Sequence, residues 1–329
     1  MPPEFAAGVC VGLRLPALEK MLARGACAMQ PGTPEAMSLE ELLCGTFGVP
    51  RQADVPVAPL SAAFDGLGGG CWLRADPVHL RLQRDHMVLL PEVGIDAAEA
   101  GQLCAALNEH FAGQGMAFFA PHPQRWYVRT GSLPDIETVP LSLAAGRNVR
   151  DLLPGGRDAA HWRRVFNEIQ MLLHAHPVNE AREMRGELPV NSLWLWGGGC
   201  DTGMAPQKNC DYASSDEPLA GMLAAAAGVA FAEWQGHWCG AKNGDSQLLV
   251  CTGLRSALRR GDLDAWRTAL QAFETGYAQP LWRALRAGKI SQLQVDVLGG
   301  NHARRVLLTR ADTWAFWRRA RPFAHYSMV

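Results

Sequence analysis

Lysine is scarce in this chain: four residues (Lys20, Lys208, Lys242 and Lys289) stand against 27 arginines. An excess of either charge sign is missing as well, since 31 basic residues face 32 acidic ones and the net charge is −1. That balance excludes a whole-molecule field favouring nucleic acid or an anionic membrane. No long hydrophobic run is present. The longest apolar stretch, Leu219 to Ala232, is rich in Ala and Gly and too short to span a bilayer. Met1 to Val11 contains no basic residue and only a brief apolar run, so it does not read as a signal peptide. No Cys-x-x-Cys occurs. The nine cysteines are odd in number and irregularly spaced, which gives no disulfide framework and implies a reducing compartment. The expectation is a soluble, cytoplasmic protein without membrane or nucleic-acid partners. Hydrophobic residues make up 48% and charged residues 19%, enough apolar surface for a packed core and too much for global disorder.

Helical and extended patterns alternate along the chain. Pro16 to Arg24 carries Leu18, Met21 and Leu22 at helical spacing and stops at Gly25. Ser38 with Glu41 has the spacing of a capping box over Ser38 to Phe47. Arg51 to Gly70 is rich in Pro, then Gly, and reads as loop. Cys71 to Leu90 reads as short strands broken at Asp76-Pro77. Asp96 to Phe111 is a helix, and Met116 to Phe119 with Trp126 to Val128 a strand pair. Asp158 to His176 has the strongest helical stripe, through Val165, Ile169, Leu172 and Leu173, and Pro177 stops it. Ser192 to Trp196 is a buried strand ended by Gly197-Gly198-Gly199. Asp201 to Asp216 reads as loop. Leu248 to Cys251, Leu293 to Leu298 and Val306 to Leu308 are further strands, with one long amphipathic helix over Asp262 to Arg286. This alternation is an α/β pattern.

Several constellations have chemical potential. His176, Asn179 and Arg182 cluster beside Pro177, and the Gly197 to Gly199 run lies a few residues further on. An imidazole, an amide, a guanidinium fork and open backbone N–H groups together suit a small anion. The alternative is a helix cap with satisfied polar groups and two core tryptophans, Trp194 and Trp196. Cys200, Cys210, His237 and Cys239 match no zinc-binding spacing. Asp65 to Gly70 shares only its glycine content with a phosphate loop. His79, Asp85 and His86 fall among short strands and read as a polar face. Trp314, Phe316 and Trp317, interleaved with Arg304, Arg305, Arg310, Arg318, Arg319 and Arg321, suggest a terminal amphipathic helix that docks by its aromatics.

The segments His176-Pro177-Val178-Asn179-x-x-Arg182 and Trp194-x-Trp196-Gly197-x-Gly199 resemble the archaeal-type cofactor-independent phosphoglycerate mutases of the alkaline-phosphatase superfamily. Weaker likeness extends over Leu18 to Gly25, Phe119 to Thr130 and Asp262 to Arg286, covering residues 70 to 320. The resemblance implies an α/β fold with a mainly parallel central sheet, trimmed at its N-terminal edge. It implies a discontinuous core, 1–91 with 236–329, and a smaller inserted α/β subdomain over 92–235. It also implies a substrate or anion site drawn from His176, Asn179, Arg182, Asn191, Trp196, Gly197 and Gly198, joined by Arg125 and Arg129.

The family's chemistry uses two divalent metals held by Asp and His, with a Ser nucleophile between them. This chain departs from that pattern. No strand ending in Asp-Gly lies before Leu18. The late Asp-His pair reads Asn301-His302. The segment after Cys251 reads Thr252-Gly-Leu-Arg-Ser-Ala257, with neither carboxylate nor histidine. The final histidine position falls near Thr309-Arg310. His302 is the sole remnant of a ligand set, and Ser61 is a nucleophile candidate without a supporting motif. The resulting expectation is a phosphoglycerate-mutase-like protein without cofactor or metal. It would bind a phosphorylated small molecule, such as phosphoglycerate, in a sensor or regulatory role. An active mutase or phosphatase with a rebuilt metal site and a non-catalytic interaction protein are the alternatives, and a protein partner is left open.

Overall fold

The computed structural model describes residues 9–27, 37–83, 86–241, 244–259, 261–298 and 303–326. The chain divides into two compact units: 40–207, and 1–39 with 208–329. The sequence drew its divisions at 91/92 and 235/236. The N-terminal piece contributes helix α1 (Pro16–Arg24) and strand β1 (Ala26–Cys27) to the second of these units.

In the 40–207 unit, helix α2 (Val57–Phe64) precedes a thirteen-residue strand, β2 (Cys71–Gln83), which returns as β3 (His86–Leu90). Helix α3 (Ala97–His110) leads into the hairpin β4 (Met116–His122) and β5 (Arg125–Thr130). Helices α4 (Ala159–His174) and α5 (Pro177–Met184) follow, then β6 (Ser192–Cys200). The sheet runs β3-β2-β5-β4, and β6 also pairs with β2. Every ladder in it is antiparallel, so β2 and β3, which the sequence placed in the core with a mainly parallel central sheet, instead belong to an antiparallel sheet shared with the β4–β6 strands of the expected insert. The physical reason is the connections: β2–β3 and β4–β5 are hairpins, and a hairpin can only reverse the chain.

Two further readings are corrected here. Residues 51–70 are not all loop, because α2 lies within them and buries Ala58 and Ala62 against Trp72 and Tyr127. Asp76-Pro77 does not break β2. Pro77 sits between the stretch of β2 that pairs with β5 (Cys71 to Arg74) and the stretch that pairs with β3 (His79 to Gln83). On its other edge Pro77 lies opposite Leu193 of β6, so a residue without an N–H is tolerated because the β5/β3 edge has no strand opposite it at this position.

One face of the sheet carries Leu73, Ala75, Phe118, Val128, Leu193 and Leu195. It packs on Leu103, Leu107 and Phe111 of α3 and on Trp162, Val165, Ile169 and Leu173 of α4. The capping box that starts α3 is formed by Asp96 and Glu99. Cys71 and Cys200 are opposite one another across β2 and β6 and form a disulfide; the other seven cysteines are free. This corrects the reading of nine unpaired thiols, which looked for spacing patterns, whereas these two lie 129 residues apart and meet only through sheet register.

In the other unit, β7 (Tyr212–Ser215), helix α6 (Pro218–Ala226), β8 (Ala230–Glu233) and β9 (Gln247–Val250) form a three-stranded parallel sheet of order β8-β7-β9. These are the parallel ladders among the described residues. Helix α7 (Gly253–Arg259) comes next. The long helix expected over 262–286 is α8 (Leu263–Phe273) and α9 (Gln279–Ala287), joined by a π-helical turn, Glu274–Ala278. Buried Glu274 accepts the N–H groups of Ala17 at 2.8 Å and Leu18 at 3.0 Å, satisfying the open start of α1. Strands β10 (Gln292–Leu298) and β11 (Ala303–Thr309) complete an antiparallel sheet of order β1-β11-β10. No helix forms over 315–322, and Trp314, Phe316 and Trp317 are 54%, 75% and 70% exposed, so the aromatics do not dock as expected.

Candidate functional site

Pro177 ends α4 but does not make an open turn. It occupies the first turn of α5, where its fixed φ and missing N–H fit. His176 becomes the N-cap of α5: its Nδ1 accepts the N–H of Val178 at 3.2 Å, and burial lowers its pKa. Asn179 donates through Nδ2 to the carbonyls of Leu173 (2.7 Å) and Val190 (2.8 Å), and its Oδ1 accepts the Val190 N–H at 2.8 Å. Arg182 is 1% exposed. Its Nε donates to the Leu188 carbonyl at 2.9 Å, Nη1 pairs with Glu99, and Nη2 donates to the Val93 carbonyl. Glu99 also receives Arg185 at 2.5 Å. Each of the three residues therefore bonds to the protein itself, tying α5 to the end of α4, to the chain before β6 and to the capping box of α3.

Asn191 behaves similarly. Its amide accepts the Leu80 N–H at 2.7 Å and donates to the Leu80 carbonyl at 3.0 Å, acting as one more rung of the β2–β6 ladder. Gly197 and Gly198 do not end β6; the strand runs on to Cys200. The register shifts between Trp72 and Arg74, so that Leu73 faces an extra residue, and Gly197 has φ +65°. That is the geometry of a glycine bulge. Segment 55–59 covers these glycines closely. A Cβ on Gly199 would lie 2.6 Å from Pro56 Cβ, and one on Gly197 would lie 3.2 Å from Val57 Cβ. The Gly197 N–H donates to Thr138 Oγ1 at 3.1 Å.

The sheet face opposite the α3–α4 core brings other sequence-singled residues together. Strand alternation places Arg125, Tyr127 and Arg129 of β5 on this face, beside Trp72, Arg74 and Asp76 of β2 and Trp196 of β6. Arg74 lies between two rings, its guanidinium carbon 5.4 Å from the Tyr127 centroid and 5.3 Å from that of Trp196. It pairs with Asp76 at 2.6 Å, and the second Asp76 oxygen accepts Trp196 Nε1–H at 2.7 Å. Asp65 takes a two-pronged contact from Arg125, at 2.6 and 2.5 Å, and the Tyr127 hydroxyl at 2.6 Å. Burial pushes the Asp65 carboxyl up, but the Arg125 and Tyr127 hydrogen bonds and the two nearby guanidinium charges outweigh it and hold its pKa below the ordinary value. Burial raises the Tyr127 pKa.

Arg129 stands apart from these pairs. It is exposed, lies 5.9 Å over the Trp72 ring, and has no ion-pair partner among the described residues. Three guanidinium groups thus share a face with two carboxylates. Sequence reading found Arg125, Arg129 and Trp196. It missed Arg74, Asp65, Asp76 and Tyr127, although the alternation Trp72-x-Arg74-x-Asp76 carried the signal.

Among the described residues, no three His, Cys, Asp or Glu side chains lie close enough to hold a metal ion. His302 and Asn301 lie outside the described residues. Thr252 and Gly253 open α7, and their N–H groups are taken by Asp216 at 2.7 and 2.8 Å. Ser61 is fully buried, with its hydroxyl donating to Val57 O at 2.8 Å, which is the bond of a helix-interior serine and not the setting of a nucleophile. The described residues do not fit two divalent cations.

No family model matches the chain. Curated proteins do. The chain is 28% identical over 200 residues to 2,3-bisphosphoglycerate-independent phosphoglycerate mutase 2 of Methanothermobacter thermautotrophicus, covering 58% of the chain and 49% of that protein. It is 27% identical over 202 residues to the 2,3-bisphosphoglycerate-independent phosphoglycerate mutase of Methanosarcina mazei, covering 56% and 48%. A probable enzyme of the same name from Geobacter sulfurreducens is 28% identical over 198 residues, covering 56% and 49%. The chain thus spans about half the length of the curated relatives it matches. Among solved structures, the cofactor-independent phosphoglycerate mutase of Thermoplasma acidophilum aligns over 90% of this chain and 82% of its own, with 15% identity and a TM-score of 0.37. The PH0037 protein of Pyrococcus horikoshii aligns over 90% and 80%, with 14% identity and a TM-score of 0.45.

Proposed function

We propose that this chain, a divergent relative of the cofactor-independent phosphoglycerate mutases, binds a small phosphorylated carboxylic acid and does not interconvert phosphoglycerates. The observation that carries the binding half is Arg129. It is an exposed guanidinium without a carboxylate partner, standing on a face where Arg74 and Arg125 are already neutralised and held in place. A planar fork backed by an aromatic ring suits a phosphate or carboxylate. Arg74 is a diagonal neighbour of Arg129 across β2 and β5, about 7–8 Å away at the backbone. The anionic end of a ligand can meet Arg129, while the Asp76 and Asp65 pairs offset the charges of Arg74 and Arg125 beside it and so let three guanidinium groups share one face.

The second half rests on the ligand chemistry. Phosphoryl transfer depends on charge stabilisation at the phosphoryl oxygens, and the described residues supply no metal-binding group there. The described residues can bind and orient a phosphorylated acid, but among them no activated nucleophile faces it. A sensor or regulatory role is the expected setting. The test pairs metal analysis of purified protein with a mutase assay in added manganese and a thermal melt in 3-phosphoglycerate. We expect a raised melting temperature and no turnover. Turnover with two bound divalent ions per chain would place this protein among the working enzymes, and an unchanged melt at millimolar ligand would remove the binding half.

A further inference from the structure

A local charge and apolar pattern is hidden by the near-zero net charge. The chain beyond β11 makes a single 3-10 turn, Ala311–Trp314, and then runs without helix or strand through 322. Residues 316–322 are all exposed. Trp314, Phe316 and Trp317 protrude here as three large rings within four positions. Soluble surfaces carry scattered apolar side chains, but a cluster of this size marks an interaction site.

The surroundings are basic. Arg286 of α9 sits 4.9 Å over the Trp314 ring. Arg318, Arg319 and Arg321 follow the rings directly, and none of these four arginines has a carboxylate within ion-pair distance among the described residues. Arg318 donates to the Arg24 carbonyl at 2.6 Å and Arg321 approaches His325 Nε2 at 2.9 Å, so both are held at the surface without a carboxylate. The one acidic side chain of the segment, Asp312, is half-buried and engaged by the Thr309 N–H and hydroxyl, both at 2.8 Å.

We propose that this patch, Trp314 to Arg321 with Arg286, is a docking surface for an anionic lipid bilayer. Charge complementarity names the occupant's sign. The shape argues for a lipid surface: Phe316 and Trp317 pack edge to face on each other, 5.3 Å between centroids, and with Trp314 at the end of the 3-10 turn they form a short protruding knob rather than a helix stripe that a partner helix could match. An interface needs no such matching relief. Tryptophan and phenylalanine insert at headgroup depth, and guanidinium groups lie in the phosphate layer above them. The inference is independent of the phosphoglycerate reading, because the arginine face of the other unit shares no residue with it.

Co-sedimentation of the full chain with phosphatidylglycerol–phosphatidylcholine vesicles, against phosphatidylcholine alone, tests it. Binding is expected only to the anionic vesicles and should be released by added salt. Phe316→Ser with Trp317→Ser should lower partitioning at least about tenfold, and each of Arg318→Gln, Arg319→Gln and Arg321→Gln by about fivefold. Circular-dichroism melts of the variants should match wild type, since all these side chains are exposed. Three results would overturn the proposal: no binding to anionic vesicles at low salt, equal binding by wild type and variants, or a fall in light-scattering mass on ring removal without vesicles. The last would show that a second copy covers the patch.

Discussion

Arg182 offers the sharpest separation between a residue that holds the fold and one that holds a ligand. Arg182→Met keeps the length of the side chain and removes its charge. Glu99 then keeps Arg185, which is half exposed, as its one charged partner, and the carbonyls of Val93 and Leu188 lose the guanidinium donors. Breaking a buried ion pair by removing one partner costs about 3–5 kcal/mol. Arg185 retains part of the stabilisation of Glu99, and the two carbonyls that lose a donor add about 1 kcal/mol or more each, so we expect a net loss of at least about 4 kcal/mol. For a unit of this size that lowers the melting temperature by roughly 8–16 °C. Urea unfolding followed by tryptophan fluorescence reads the loss. Titration with 3-phosphoglycerate at a temperature where both proteins are folded should give equal affinities. Abolished binding with stability within about 0.5 kcal/mol of wild type would refute this reasoning and return the anion site to α5.

Other predictions follow from the same geometry. Asp65 has its pKa lowered by folding, so the stability it contributes is complete above the unfolded value near 3.9 and is lost as pH falls through the folded value. Asp65→Asn should therefore flatten the acid limb of a stability–pH curve below about pH 4; parallel limbs for the two proteins would contradict this. Reducing the Cys71–Cys200 bridge should destabilise the 40–207 unit by up to about 5 kcal/mol, the chain-entropy value for a 129-residue separation. Peptide mapping without reductant should recover the two cysteines in one cross-linked product. Gly197→Val should destabilise by at least about 2 kcal/mol, because it needs φ +65° from a β-branched residue and meets Val57. A melt within 1 °C of wild type would show that the bulge does not require glycine.

Much of the local structure could be read from the sequence, and the failures have identifiable causes. Pro16 to Arg24 became a helix with those ends because Pro, three apolar positions and Gly agree. The strand pair around Pro123 appeared as a hairpin for the same reason. Pro77 misled because proline's effect depends on whether a neighbour needs its N–H, and that depends on tertiary pairing. Pro177 was correctly taken as the end of α4, but it also begins α5, which turned an apparent polar cluster into a cap. Glycines 197–199 resembled an anion nest in composition and are a bulge pressed against segment 55–59. The Cys71–Cys200 pair and the Asp65–Arg125 contact, 60 residues apart, exist only once the strands are in register. The parallel pairing implied for the central sheet is present only in the short β7–β9 region among the described residues, because β2 of that core range pairs antiparallel with β3 and with strands of the insert range.

The central claim is that the exposed guanidinium of Arg129 anchors a phosphorylated acid on the β2–β5–β6 face. Calorimetric titration of 3-phosphoglycerate into wild type and Arg129→Gln at low salt tests it most directly. One saturable site is expected in wild type. Loss of a charge-assisted hydrogen bond worth about 1.5–3 kcal/mol should weaken it roughly ten- to 150-fold in the variant, with the melting temperature of the unliganded protein unchanged. Superimposable isotherms for the two proteins, or no saturable heat with wild type, would contradict the account.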